Sequence, residues 1–252
     1  MKEYVIGALV MALPFSWAEA QTNAPGPDVI PPGPLVIARI PGANAQWAVD
    51  YTYSNAPKPG EQTALDKLKL EAQEDPALAK NLQDPQYVLS IQNIRPVHIS
   101  VVRTGNITHE EGLYEQGYTG EKWSDGRVMV ERRFSSPALV ATMQLNAQGD
   151  DFPDFDWIAK DNFIGVQTHD NLKCLVFKKD QYSIEGNFIG TAYAYVDFTT
   201  RLPEGYQFVF ETRKYTILPP PSAQLSMPED FMAAGKVMIG RIQRATPHFA
   251  LP

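Results

Sequence analysis

From Trp47 onward the chain is dominated by alternation between apolar and polar residues, interrupted every few residues by turn-forming sequences. Trp47, Val49, Tyr51 and Tyr53 alternate with Ala48, Asp50 and Thr52. Successive side chains of a strand point to opposite faces, so a run with this period predicts a half-buried strand rather than a helix. The pattern then recurs. Segments 97–104 and 107–111 flank the tight-turn dipeptide Gly105-Asn106, and 121–123 and 127–133 flank Ser124-Asp125-Gly126, with Val128 and Val130 on one face. A further strand is expected at 138–145, and a hairpin at 164–169 and 172–179 around Asp170-Asn171. The longest hairpin is expected from 189–197 and 206–218 around the turn 198–205. Tyr193 and Tyr195 line one face of its first strand, and Tyr206, Phe208 and Phe210 one face of its second. Proline cannot donate to a ladder, so Pro219, Pro220 and Pro221 end the sheet. Beyond them, 228–234 reads as one or two helical turns and 237–244 as a last strand.

About ten strands joined mostly by short hairpins predict a mainly β (α+β) fold built on one large antiparallel meander sheet. Strand twist accumulates across such a sheet and one face must leave water, so it is expected to curl into a half-barrel or barrel. Between residues 61 and 84 the period changes to that of a helix. Leu65, Leu68 and Ala72 share one face, as do Leu78 and Leu82, and Asp75-Pro76 divides the run into two pieces. Pro76 suits the first turn of the second piece, where its missing amide donor costs nothing. This pair is the expected lid of the concave face.

The N-terminal region reads as an export signal followed by a spacer. Lys2 is a short positive start, residues 4–17 form a compact apolar stretch, and Ala18-Glu19-Ala20 is a small-x-small cleavage site. The stretch is short for a bilayer core of about 30 Å and contains Pro14. No cysteine follows the cleavage site and no second long apolar run occurs. The expectation is a signal peptide at 1–20, a Pro- and Gly-rich leader at 21–45 and a single β-rich domain at 46–252, unanchored after cleavage in the periplasm or outside the cell. Within the leader, Leu35-Val36-Ile37 is expected to dock along the domain, the alternative being a partner-binding strand. A net charge of −7 leaves no basic face for nucleic acid and is equally unsuited to an anionic membrane surface.

No catalytic or cofactor motif emerges. The four histidines at 98, 109, 169 and 248 lack metal-site spacing. In His109-Glu110-Glu111 only His109 and Glu111 could converge, because neighbours on a strand face opposite ways. The acidic loop residues Asp150, Asp151, Asp154 and Asp156 offer hard oxygen ligands, but their spacing is not that of a calcium loop and Pro153 interrupts them; a solvated loop is expected. Cys174, the single cysteine, lies in the apolar run 172–177 and is expected to be buried and inert. No Gly-x-Ser-x-Gly occurs, and Glu110, Glu111 and Glu131 carry no pairing signal in so acidic a chain. Asn106-Ile107-Thr108 is a glycosylation sequon, and its turn position already accounts for the residues. The remaining candidates are aromatic. Trp47, Tyr51, Tyr53, Tyr193, Tyr195, Phe208 and Phe210 would line an apolar cavity if they faced the concave side, and would otherwise be core.

One turn carries a resemblance. Asp197-Phe198-Thr199-Thr200-Arg201-Leu202-Pro203 resembles the Asp-x-x-Thr-x-Leu-Pro turn of the superfamily of bacterial outer-membrane lipoprotein carriers, the LolA-like proteins. There it joins two long strands of an open, curved antiparallel sheet. The physical logic is local: Asp197 and Thr200 can hold the turn amides while Leu202 and Pro203 tuck against the sheet. The resemblance loosely spans residues 47–244. It implies a concave apolar face covered by helices and holding the acyl chains of a lipid or lipoprotein, with no chemistry and no cofactor. Two features depart from the family: the helical pair follows the first strand instead of preceding it, and the proline leader is foreign. The alternative expectation is a cell-envelope interaction or structural module, with the hollow self-filled and the leader or an edge strand engaging a protein partner.

Overall fold

The computed structural model describes residues 30, 32–54, 64–83, 94–133, 137–143 and 150–245. The proposed signal peptide and leader residues 21–29 and 31 lie outside them. Eleven strands form one open antiparallel sheet: β1 (Asn44–Tyr53), β2 (Pro96–Thr104), β3 (Ile107–Tyr114), β4 (Thr119–Ser124), β5 (Val128–Arg132), β6 (Leu139–Met143), β7 (Phe163–His169), β8 (Leu172–Tyr182), β9 (Phe188–Asp197), β10 (Pro203–Phe208) and β11 (Glu211–Leu218). Their spatial order is β6-β5-β4-β3-β2-β1-β11-β10-β9-β8-β7. The sheet is therefore two meanders rather than one. They meet where β1 pairs with β11, in register from Gln46 opposite Leu218 to Tyr53 opposite Glu211.

The hairpins form where the turn residues dictate. Asp125 Oδ1 accepts the amides of Arg127 and Val128, both at 2.9 Å, and Gly126 takes the left-handed φ of +84° that this reversal requires. Asp170 and Asn171 both have positive φ, which matches the right-handed strand twist of a two-residue hairpin. Asp197 receives the amides of Thr199 and Thr200, and Thr200 Oγ1 that of Leu202, so the Asp-x-x-Thr-x-Leu-Pro turn is held as its residues suggest.

Two segments differ from expectation. The long strand expected at 206–218 is cut by a turn at Val209-Phe210 into β10 and β11. The strand expected at 237–244 is the second half of a seventeen-residue helix, Glu229–Ala245. Val237, Met238 and Ile239 in succession mimic a strand, yet Phe231, Gly235 and Ile239 recur on one helical face. That helix is α3; α1 (Ala64–Glu71) and α2 (Pro76–Asn81) precede it. Asp75 caps α2 by accepting from Ala77 N at 2.9 Å and Leu78 N at 3.2 Å, with Pro76 in the first turn. The α1–α2 pair is not what covers the core. No residue of α2 is buried, and Leu70 of α1 is exposed.

Register defines which residues share a face. The inner face carries Trp47, Val49 and Tyr51 of β1, Ile99 and Val101 of β2, and Tyr215 of β11. Across β7–β11 it is sealed by the segment 150–158, whose Phe152 and Phe155 are almost completely buried against Leu175, Phe177, Ala194 and Val196. Leu35, Val36 and Ile40 join that core, and Ile37 N donates to Arg201 O at 2.8 Å, so the end of the leader docks along the domain. The outer face is sealed elsewhere. There α3 lays Phe231 on Trp123, Val128 and Val130 of β4 and β5. Gly235 faces the same strands, and a Cβ there would meet Val128 Cγ1 at 3.6 Å, an ordinary packing distance.

Candidate functional site: an amphipathic cleft

Where segment 150–158 stops, the inner face of β1–β5 opens into a cleft of about 840 Å³. Its size falls within the roughly 300–1,000 Å³ of small-molecule sites. Trp47, Val49, Ile99 and Val101 form an apolar floor, Tyr51 and Tyr215 border it, and Phe152 makes one wall. The adjoining strands are polar on the same face. Glu110 of β3 stands opposite Val101 and is paired with Lys122 of β4 at 2.7 Å. At the turn end of the sheet, Arg39, Asn106, Asp125, Arg127 and Asp150 surround the opening. The cleft thus has an apolar side, an ion-paired side and a charged mouth.

Its wall is fixed by two buried or half-buried arginines. Arg103 and Asp151 are almost fully buried as a pair at 3.0 Å. Arg103 also donates to the carbonyls of Ile40, Gly42 and Ala43, while Asp151 accepts Ile40 N at 2.8 Å. One guanidinium therefore ties the leader, the 150–158 segment and β2 together. On the other side Arg213 pairs with Asp154 and Glu211, and lies 5.3 Å from the Tyr51 ring and 5.0 Å from that of Tyr206. Burial is the largest single influence and works against its charge, but Asp154, Tyr215, Tyr51 and Glu211 together outweigh it and hold its pKa above the ordinary arginine value. Burial raises the Tyr51 and Tyr215 phenols, so both stay neutral.

The seven aromatic candidates do not share one wall. Trp47 and Tyr51 line the cleft. Tyr53 lies at the end of β1, donating to Pro96 O at 3.1 Å beneath the Arg95 guanidinium. Phe208 is on the inner face beside Ala192, beyond the cleft, and Phe210 is exposed in the β10–β11 turn. Tyr193 and Tyr195 are on the outer face, because it is Ala192, Ala194 and Val196 that point into the core; Tyr195 stacks there on His169 at 3.9 Å. Small inward residues on β9 make room for Phe155, which inverts the face that aromatic content alone suggests.

The acidic loop is also a correction. Asp151 and Asp154 are committed to arginines, and Phe152 and Phe155 beside them are core, so the segment is a plug and not the solvated loop expected. Among the described residues no group of His, Cys, Asp and Glu could hold a metal ion. His109 stacks on Trp123 at 4.0 Å on the outer face, 3.3 Å from Glu121 and 3.9 Å from Glu111. Glu131 pairs with Arg133 at 2.6 Å. Cys174 is fully buried, and burial pushes its thiol up to about 11, which suits packing and not nucleophilic attack. Arg103, Phe152 and Phe155 went unread in the sequence; the only signal was Phe152 and Phe155 set one turn apart amid acids. Compared with known proteins, the chain matches no family model, and no curated protein is similar to it.

Proposed function

We propose that this chain is an exported, non-enzymatic binding protein whose inner cleft takes an amphipathic ligand of the lipid class. The observation that carries the reading is the cleft of about 840 Å³ over half-buried Ile99 and Tyr51, with the largely buried Trp47, Val49 and Val101 at its base, bordered by the Glu110–Lys122 pair and by a mouth bearing charges of both signs. A purely apolar ligand would leave those polar groups facing hydrocarbon, which is costly. A chain with a polar head satisfies both sides. The LolA-like resemblance of the 197–203 turn points the same way.

Native mass spectrometry of protein purified from its host envelope tests the proposal. The wild type should carry lipid mass, and Ile99→Glu, which puts a charge on the half-buried floor, should weaken retention at least about tenfold. A second reading has its own support, since Phe152 and Phe155 already fill the rest of the inner face: an envelope interaction module. A lipid-free wild type that copurifies with an envelope protein would establish that reading instead.

A further inference from the structure

Far from the cleft mouth, at the opposite end of the sheet, six large apolar side chains stand in water on two adjoining turns. Tyr182, Ile184, Phe188 and Ile189 cap the β8–β9 hairpin, and Val209 and Phe210 form the β10–β11 turn. Each is at least 43% exposed, and Ile184 protrudes completely at 108%. The two turns adjoin, since a Cβ on Gly190 would come within 2.4 Å of Val209 Cγ2, and within the β8–β9 hairpin the Tyr182 and Phe188 rings meet at 5.8 Å.

The arrangement is built, not incidental. Val209 holds a φ of +52°, a left-handed conformation that β-branched residues avoid. Asn or Gly would serve that turn without strain and without apolar surface. Only Glu185 places a charge in the tip itself, between Tyr182 and Phe188. Behind the tip, Lys178 and Lys179 are exposed, and neither is in an ion pair among the described residues. Asp180, next to them, is occupied by Thr191 Oγ1 at 2.7 Å. At about 3.3 Å per residue, Lys179 sits roughly 10 Å behind Tyr182.

We propose that this double tip is a membrane-docking device that enters the interfacial layer of a phospholipid bilayer. The order of groups along the hairpin matches the order of layers in a leaflet. Aliphatic and aromatic side chains reach the acyl boundary, which peripheral elements enter by about 5–10 Å, and the two lysines then fall at the level of the phosphates. The tip is convex, so it suits a deformable interface better than a preformed protein surface. The hairpin carries two lysines and two carboxylates, Asp180 and Glu185, so this end is locally neutral although the chain as a whole is acidic. This goes beyond the cleft reading and does not depend on it.

Flotation of the full mature chain with vesicles of phosphatidylethanolamine and phosphatidylglycerol provides the test. The wild type should float with the vesicles, and the triple variant Ile184→Ser, Phe188→Ser, Phe210→Ser should lose about tenfold or more in partitioning. Ile184→Trp should show a blue-shifted, membrane-quenched emission on the same vesicles, while Ile99→Glu in the cleft should float as the wild type does. The proposal is overturned if the wild type stays at the bottom of the gradient, if the triple variant floats equally well, or if the tip instead drives self-association or protein capture that the serines abolish without any vesicle binding.

Discussion

The two meanders of this sheet bury opposite faces. Across β7–β11 the inner face is dry, sealed by Phe152 and Phe155, and the outer face presents Tyr193, Lys178 and Lys214. Across β4–β6 the outer face is dry, sealed by α3 through Phe231, and the inner face is left open as the wall of the cleft. A β-strand alternates the same way whichever side is covered, so period two alone does not say which face is core. What decides is the covering segment: a short acidic loop on one half and a helix on the other. The cleft exists because the inner cover stops near β1 and the other cover lies behind the sheet.

The largest effect is expected where the inner cover is tied down. Arg103→Ala leaves Asp151 buried without its cation and frees three carbonyls of the leader, which should lower unfolding free energy by about 3–5 kcal/mol. Urea denaturation checks this. A loss under about 1 kcal/mol would mean that the rings alone hold the plug.

A matched pair of cavities then separates the halves. Phe152→Ala and Phe231→Ala each remove a ring that is 1% exposed, so each should cost about 3–4 kcal/mol by the same assay. Their functional consequences should diverge. Phe152 lines the cleft and Phe231 does not, so only Phe152→Ala should alter lipid retention measured by native mass spectrometry. Equal effects on retention would show that the cleft is not confined to the inner face.

The next effect is smaller and of opposite sign. Val209→Gly removes a β-branched side chain from a positive φ, and should stabilise the chain by about 1 kcal/mol despite the entropy cost of glycine. A destabilised variant would mean that Val209 packs more than it strains.

What was legible in the residues follows from these same features. Strands with turn chemistry between them were readable, because Gly105-Asn106, Asp125-Gly126 and Asp170-Asn171 announce themselves locally. The Val209-Phe210 turn was not, since neither residue favours a reversal, and two strands merged into one. The α3 helix was half hidden because Val237-Met238-Ile239 satisfies either period, and only contact with Val128 and Val130 selects the helical one. The candidate site was readable only in part. Trp47 and Tyr51 belong to it, but Tyr193 and Tyr195 do not, since cross-strand geometry and small inward alanines decide which face of β9 meets Phe155. Arg103 and Asp151 are 48 residues apart, and nothing local marks them as a pair.

The smallest effect concerns the outer face of the β7–β11 half, which is dry around Cys174 and Val176 and wetter beyond them. His169 stacks on Tyr195 over Gly205, where an added Cβ would meet its Nε2 at 2.8 Å. Burial lowers its pKa from the ordinary value; Asp170 works upward against this and Lys214 adds to the lowering. In the unfolded chain the same imidazole titrates near about 6.5. The folded state therefore binds this proton less readily than the unfolded state, and stability is lost as pH falls below about 6.5, levelling off only once the folded histidine is also protonated. Denaturation midpoints of the wild type and His169→Gln, measured from about pH 7 to about pH 5, should diverge, with the variant showing the flatter profile. Because the difference between the two curves removes the carboxylates they share, parallel profiles would mean that His169 takes up its proton in place. The outer face of this half would then be wet enough to solvate a cation beside Tyr195, and the contrast between a dry and a wet face would be sharper than burial alone indicates.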